Sequence, residues 1–219
     1  MTRMVGKGGL STGSGSPKDD AEATRWYSVA AEQGNARSQY NLGIMNLRDN
    51  WGDTDQTEAM SWFLQAAEQG FADAQNMLGR IYSQSKWIHK DDTEAVRWYR
   101  MAAEQGHAEA QHYLGTMYFF GEGVPKNATE AVRWFRQAAK RGYVKSQYNL
   151  GLIYYEGEGI PIDNVQAYVW FSMAANQGLK LSKRKKAAVA KRMTRIQIAE
   201  ARKLYREYLE NYGPGRENQ

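Results

Sequence analysis

Apolar and polar positions along the chain form two helical patterns that recur every 36 residues. The first is clearest at 91–106, DDTEAVRWYRMAAEQG, where apolar residues fall at helical spacing and a glycine follows. Copies of this segment begin at residues 19, 55, 127 and 163. Self-similarity with a period of roughly 20 to 50 residues indicates a helical solenoid rather than a globular domain.

The first pattern predicts what we call the aromatic helix, which carries a tryptophan such as Trp98 on its apolar stripe. Each copy opens with an Asp or Asn and has Glu or Gln three residues later, as in Asp91 and Glu94. This spacing is typical of a capping box. We therefore expect five N-caps in register: Asp19, Asp55, Asp91, Asn127 and Asp163.

The second pattern, AEAQHYLGTMYFF at 108–120, predicts a partner that we call the glycine helix. Ala110, Leu114 and Tyr118 form its core stripe, and Gly115 predicts a close approach by a neighbouring helix. Gly-x-Gly and a proline follow at 121–125 and 157–161, which is typical of a turn. In the two earlier copies Trp51 and Trp87 replace the second glycine, so these two residues are loop candidates for binding.

The pattern A-x-x-x-L-G-x-x-Y-x-x-G-x-G-V followed by A-x-x-W-x-x-x-A-A-x-x-G, clearest at 110–124 and 131–142, resembles the Sel1-like repeat family, a branch of the tetratricopeptide-like repeats. The resemblance implies an all-α, right-handed α-solenoid of antiparallel helix pairs that serves as a protein-binding scaffold. It covers 19–178, as an N-terminal half-repeat and four helix pairs. We predict a flexible Gly/Ser leader at 1–18 and basic capping helices with a tail at 179–219.

Charge is distributed unevenly along the chain. Residues 180–219 contain twelve Lys/Arg and four Asp/Glu, a net charge of +8, which leaves −3 for residues 1–179 out of the total of +5. There is no cysteine, which excludes disulfides, thiolate nucleophiles and Cys-ligated metals. The basic character therefore belongs to the C-terminal segment and not to the repeats.

No apolar run reaches the roughly 20 residues needed to span a bilayer, and the N-terminus lacks the apolar core of a signal peptide. The sequence leaves the compartment open between a cytoplasmic location and, if a targeting segment was trimmed, a periplasmic or secreted one.

The glycine-helix arc opposite the core stripe changes from repeat to repeat, while the core positions recur. By resemblance this arc lines a concave groove, and we predict that it binds a protein or peptide. Its candidate residues are Arg37, Tyr40, Ile44, Leu47, Asn76, Arg80, His112, Thr116, Phe119, Tyr148, Leu152 and Tyr155.

Two other function classes are weaker. The first is nucleic-acid or anionic-surface binding through Lys180, Lys183, Arg184, Lys185, Lys186, Lys191, Arg192 and Arg195. The second is β-lactam hydrolysis, which belongs to a cysteine-rich branch of the family that this cysteine-free chain does not resemble. We predict no enzyme activity, no catalytic residue, no cofactor and no metal site, and a possible self-association through the uncovered half-repeat around Trp26.

Overall fold

The computed structural model describes residues 17–49, 53–84 and 88–213, which form eleven α-helices and no strand. The helices are α1 (Pro17–Glu32), α2 (Ala36–Asp49), α3 (Asp53–Glu68), α4 (Ala72–Gln84), α5 (Asp92–Glu104), α6 (Ala108–Phe120), α7 (Ala128–Lys140), α8 (Val144–Glu156), α9 (Asn164–Asn176), α10 (Lys180–Ala190) and α11 (Arg195–Tyr212). The odd-numbered helices from α1 to α9 are the aromatic helices, and the even-numbered helices from α2 to α8 are the glycine helices. The predicted all-α solenoid is confirmed.

Each glycine helix packs tightly on the aromatic helix that follows it. A Cβ built on Gly115 would lie 2.9 Å from the Phe135 ring, and one on Gly151 would lie 2.6 Å from the Phe171 ring. Only a residue without a side chain allows the two helices to come so close. The predicted close approach is confirmed, and its partner is the aromatic residue that directly follows the repeated tryptophan.

The predicted helix caps are correct in part. The Asp91 side chain accepts hydrogen bonds from the Thr93 and Glu94 amides (both 3.0 Å), and Asn127 and Asp163 also act as N-caps. The reciprocal half of the box is absent, because the Asp91 amide donates to the Tyr82 carbonyl oxygen (2.9 Å) instead. In α1 and α3 the helices extend ahead of Asp19 and Asp55, so these two residues are not N-caps.

Buried glutamines connect successive helix pairs, a feature that the sequence analysis did not identify. Gln75 Nε2 donates to the Ala67 carbonyl oxygen at the end of α3 (3.0 Å), and Gln75 Oε1 accepts from Gln105 Nε2 at the end of α5 (2.7 Å). The same set recurs one repeat before and two repeats after: Gln39 with Ala31 and Gln69, and Gln147 with Ala139 and Gln177. Each glutamine thus ties two aromatic helices to the glycine helix between them.

Consecutive glycine helices also contact each other directly, through residues predicted to face a ligand. Asn76 Nδ2 donates to Glu109 Oε2 (2.9 Å), and His112 Nδ1 lies 2.9 Å from Ser146 Oγ. Asn76 and His112 are 4% and 7% exposed. Their predicted exposure is therefore wrong, because this position points at the next glycine helix and not at solvent.

The ends of the array differ from its middle. At the C-terminal end α11 begins with a complete capping box between Thr194 and Gln197, and Tyr208 packs edge-on against Trp170 with 5.1 Å between ring centroids. At the other end Trp26 is 69% exposed, whereas Trp98, at the equivalent position two repeats later, is 4% exposed. Self-association through Trp26 stays a prediction.

In the described helices, one of the four equivalent glutamines lacks the hydrogen bond to its Oε1 atom, and this gives a prediction about stability. Gln111 Oε1 is buried without a hydrogen-bond partner among the described residues, since Arg141 stands where Gln105 and Gln177 stand in other repeats. We expect Arg141→Gln to restore the missing bond and raise the free energy of unfolding by about 1 kcal/mol. Urea unfolding measures the change. Arg141→Gln in a Gln111→Leu background should give no gain, and an equal gain there would contradict the hydrogen-bond origin.

Buried His112 gives a pH prediction. Burial, and next the nearby charge of Lys145, lower the pKa of His112 from 6.5 to about 4. The unfolded chain binds this proton near pH 6.5 and the folded chain only near pH 4, so stability is full above pH 6.5 and falls as the pH drops towards 4. Between pH 7 and pH 5 this histidine should account for a loss of about 2 kcal/mol.

Urea unfolding of His112→Asn, which places there the residue found at position 76, should show a pH dependence shallower by that amount. His89 is exposed, so His89→Asn is the matched control and should keep the wild-type slope. Parallel pH profiles for wild type and His112→Asn would contradict the assignment.

Candidate functional site

The predicted binding residues divide by accessibility once the helices are stacked. Asn76 and His112 are buried, and Arg37 is exposed. The partly exposed members are Tyr40, Ile44, Leu47, Arg80, Thr116, Phe119, Tyr148, Leu152 and Tyr155. Trp51 and Trp87 lie outside the described residues. The partly exposed group forms a strip along the glycine helices, and its chemistry changes from one end to the other.

A pocket of about 280 Å³ lies on this strip between α6 and α8. Its walls are formed by Thr116, Phe119 and Phe120 of α6 and by Leu152 of α8, with Phe135 of α7 also in the lining. The structure therefore brings together three of the predicted residues, Thr116, Phe119 and Leu152. The remaining lining residues are Asn149, Ile153, Glu156 and Glu158.

Two phenylalanines shape the mouth of the pocket. Phe119 and Phe120 meet edge to face, with 5.1 Å between ring centroids and an interplanar angle of 87°. Phe120 is 64% exposed, although it carries one of the largest apolar side chains in the repeats. Lys126 Nζ lies over the Phe119 ring, 5.7 Å from its centre, so a cation already covers one face of that ring.

The rim of the pocket is acidic but partly neutralised. Glu156 Oε1 lies 3.7 Å from Lys185 Nζ of α10, an ion pair that links the rim to the C-terminal helices. Glu158, in the turn after α8, is exposed. The pocket can therefore bury an apolar side chain while polar groups around it stay hydrated.

A polar cluster lies further towards the N-terminus of the strip. Glu109 accepts from Asn76 Nδ2, and its charge also acts on the Tyr143 hydroxyl. Burial, and next the charge of Glu109, raise the pKa of Tyr143 to about 12, so its hydroxyl stays protonated and can donate. Arg80 lies close enough to influence the same hydroxyl, yet within 17–49, 53–84 and 88–213 it forms no salt bridge and its buried Nε has no partner.

At the N-terminal end of the strip the predicted residues mainly support the fold. The Tyr40 ring packs against Phe63 and Phe71, with centroid distances of 5.8 and 5.5 Å. Ile44 and Leu47 pack against the same core cluster. Their partial exposure is the edge of a packed core, so they offer less free surface than Phe119 and Phe120.

At the C-terminal end, Tyr155 is covered by the basic helices. Arg192 Cζ lies 4.0 Å from the centre of its ring, and Lys185 Nζ lies 5.6 Å away. Lys186 lies over Tyr168 in the same way, at 5.0 Å. Three of the eight cations suggested for nucleic-acid binding thus pack on tyrosines of this chain.

Across the described part of the chain no three His, Cys, Asp or Glu side chains are grouped to hold a metal ion. His107 Nε2 lies 3.0 Å from Asp73 Oδ1, while His107 Nδ1 accepts from the Ala110 amide as the N-cap of α6. This histidine is therefore occupied in capping and pairing. Among the same residues no helix is long and apolar enough to cross a membrane.

Sequence reasoning missed Phe120 and Phe135 as parts of the pocket. Phe135 belongs to the core stripe of an aromatic helix, and only the stacked structure shows that part of its ring reaches the pocket. Phe120 had a usable signal, because the equivalent positions hold Gln84 and Glu156. An aromatic residue that replaces polar ones at a repeat position indicates a surface with a special role.

Comparisons with known proteins agree with this architecture. The family model of the Sel1 repeat matches residues 4–35, 36–71, 72–107, 108–143 and 144–179, and the first match begins ahead of the predicted solenoid start at residue 19. A search of the curated proteins gives no match.

Two solved structures are similar over most of the chain. One is c5321, a protective antigen of uropathogenic Escherichia coli strains with an SLR fold: 36% identity, TM-score 0.79, covering 89% of this chain and 42% of that one. The other is a Sel1 repeat protein from Oxalobacter formigenes: 30% identity, TM-score 0.67, covering 90% and 77%. This chain thus spans less than half the length of the E. coli antigen.

Sel1 repeat proteins generally serve as protein-interaction scaffolds and are typically non-catalytic. Five consecutive matches to the repeat, the 36-residue period and the paired helices lead to one conclusion: the chain belongs to the Sel1 repeat family.

Proposed function

We propose that this protein is a non-enzymatic scaffold that binds a protein or peptide segment along its glycine helices. The observation that carries the proposal is the pocket between α6 and α8, where Phe120 leaves 64% of its surface exposed beside Phe119 and Leu152. Exposed aromatic residues gathered at a concave site are the usual anchors of protein interfaces.

The size of the pocket favours a single large apolar side chain as the anchor. A volume of about 280 Å³ is at the lower end of what a small-molecule site occupies. Burying one Phe or Leu side chain there would contribute about 1.5–3 kcal/mol, which corresponds to roughly 10- to 150-fold in affinity. The partner would therefore present an aromatic or aliphatic residue within an exposed segment.

The unpaired Arg80 supports a second contact with the same partner. Arg80 and Leu152 occupy equivalent positions two repeats apart, so one segment following the strip passes both. A guanidinium without an acidic partner in the described chain is suited to a carboxylate, which it binds through two parallel hydrogen bonds. We propose a segment that combines an apolar anchor with an acidic residue.

Selection from a displayed library of random twelve-residue peptides tests the proposal directly. We expect enrichment of peptides that contain an apolar anchor and an Asp or Glu. Phe120→Ala should weaken the enriched peptides about tenfold or more, as measured by isothermal titration calorimetry. Arg80→Gln should weaken peptides with the acid more than peptides in which that acid is replaced by Asn or Gln.

The matched control is Ile196→Ala, which also removes an exposed apolar side chain (81% exposed) but lies at the start of α11, outside the strip. The affinity of Ile196→Ala for the enriched peptides should equal that of wild type. The thermal melts of Phe120→Ala, Arg80→Gln and Ile196→Ala should all agree closely with that of wild type. Failure to enrich any peptide, or full affinity in Phe120→Ala, would contradict the proposed groove.

A further inference from the structure

A second cleft lies at the C-terminal end of the molecule, away from the glycine-helix strip. It has a volume of about 630 Å³ and lies where α10 and α11 pack on α9. Tyr168 and Ser172 of α9 line it together with Lys183 and Lys186 of α10 and Tyr205 of α11. The other lining residues are Ala175, Asn176, Ala187 and Ala190, so no acidic side chain is among them.

The two lysines are placed side by side without a counter-charge. They are three residues apart on α10, and residues at that spacing share one helix face. Across the described parts of the chain neither forms a salt bridge, whereas Lys185, between them in sequence, is paired with Glu156. Two like charges on one face repel each other, and an anion between them would remove that repulsion.

Aromatic and hydroxyl groups complete the lining of the cleft. Lys186 Nζ lies 5.0 Å from the centre of the Tyr168 ring, which keeps its ammonium group at the cleft wall. Burial, and next the neighbouring Tyr168, raise the pKa of Tyr205, so its hydroxyl stays protonated at neutral pH and can donate. Ser172 donates its hydroxyl hydrogen to the Tyr168 carbonyl oxygen (2.7 Å). This hydrogen bond holds the Ser172 side chain in the cleft lining and involves neither lysine.

We propose that this cleft binds a small organic anion, whose phosphate or carboxylate lies between Lys183 and Lys186 while its apolar part packs on Tyr168 and Tyr205. Two ammonium groups and a hydroxyl supply charge-assisted donors to the anion. The tyrosine rings and three alanines supply the apolar surface. This is a discrete pocket at the end of the solenoid, separate from the peptide-binding strip and from a spread-out basic patch.

Two-dimensional NMR of the full chain tests the proposal with three probes at constant ionic strength: inorganic phosphate, phenyl phosphate and benzoate. We expect saturable shifts of the backbone amides near Ser172, Lys186 and Tyr205, with phenyl phosphate binding more tightly than inorganic phosphate because its ring adds apolar contact. Comparing phenyl phosphate with benzoate distinguishes a phosphate ligand from a carboxylate ligand. Shifts that do not saturate, or that spread over all exposed lysines, would overturn the proposal.

Variants separate the cleft from general basic charge. Lys183→Gln with Lys186→Gln should raise the dissociation constant of the tighter probe about tenfold or more. Lys203→Gln removes one exposed charge from α11 outside the cleft lining and should change it less than about twofold. If loss of the Lys186 contact with Tyr168 unfolds the double variant, exposed Lys183→Gln alone should still weaken binding about threefold. Equal weakening by Lys203→Gln and Lys183→Gln would overturn the assignment.

Discussion

The hydrogen bonds of the buried glutamines are the constraint on which the stacking of this solenoid depends. Gln75 and Gln147 are 1% and 0% exposed, and each has its amide group satisfied at both ends by neighbouring aromatic helices. An unsatisfied amide in such a place costs about 1–3 kcal/mol, so three helices must keep their relative positions within the tolerance of a hydrogen bond. The strip along the glycine helices takes its shape from this spacing.

That spacing also explains which sequence predictions succeeded. The 36-residue period, the bounds of α6 and the N-caps at Asn127 and Asp163 follow from local chemistry, which each repeat contains in full. The burial of Asn76 and His112 does not follow from local chemistry, because it depends on contacts with the next glycine helix along the array. A helical wheel divides one helix into an inside and an outside, whereas a helix in a solenoid also has a neighbour on each flank.

Some features of the candidate site can likewise be predicted from the sequence of the repeats, whereas others arise only when the helices are stacked. Thr116, Phe119 and Leu152 could be selected from sequence because the strip changes its residues from repeat to repeat. The pocket itself is made by residues from three helices, and no single repeat contains it. The lysine cleft could not be predicted from the repeats at all. Helices α10 and α11 do not follow the repeat pattern, so their packing on α9 has no equivalent in another repeat.

The C-terminal cap explains why the basic segment cannot be treated as one surface. Beyond α9 the array has no further repeat to cover its last core face, and Tyr208 takes that place by packing on Trp170. Lys185 and Arg192 lie over Tyr155 and so join the cap to the last glycine helix. Lys183 belongs to the same helix but points into a cleft that no acid lines. The excess positive charge therefore has two physical roles, one in closing the solenoid and one that stays available to an anion.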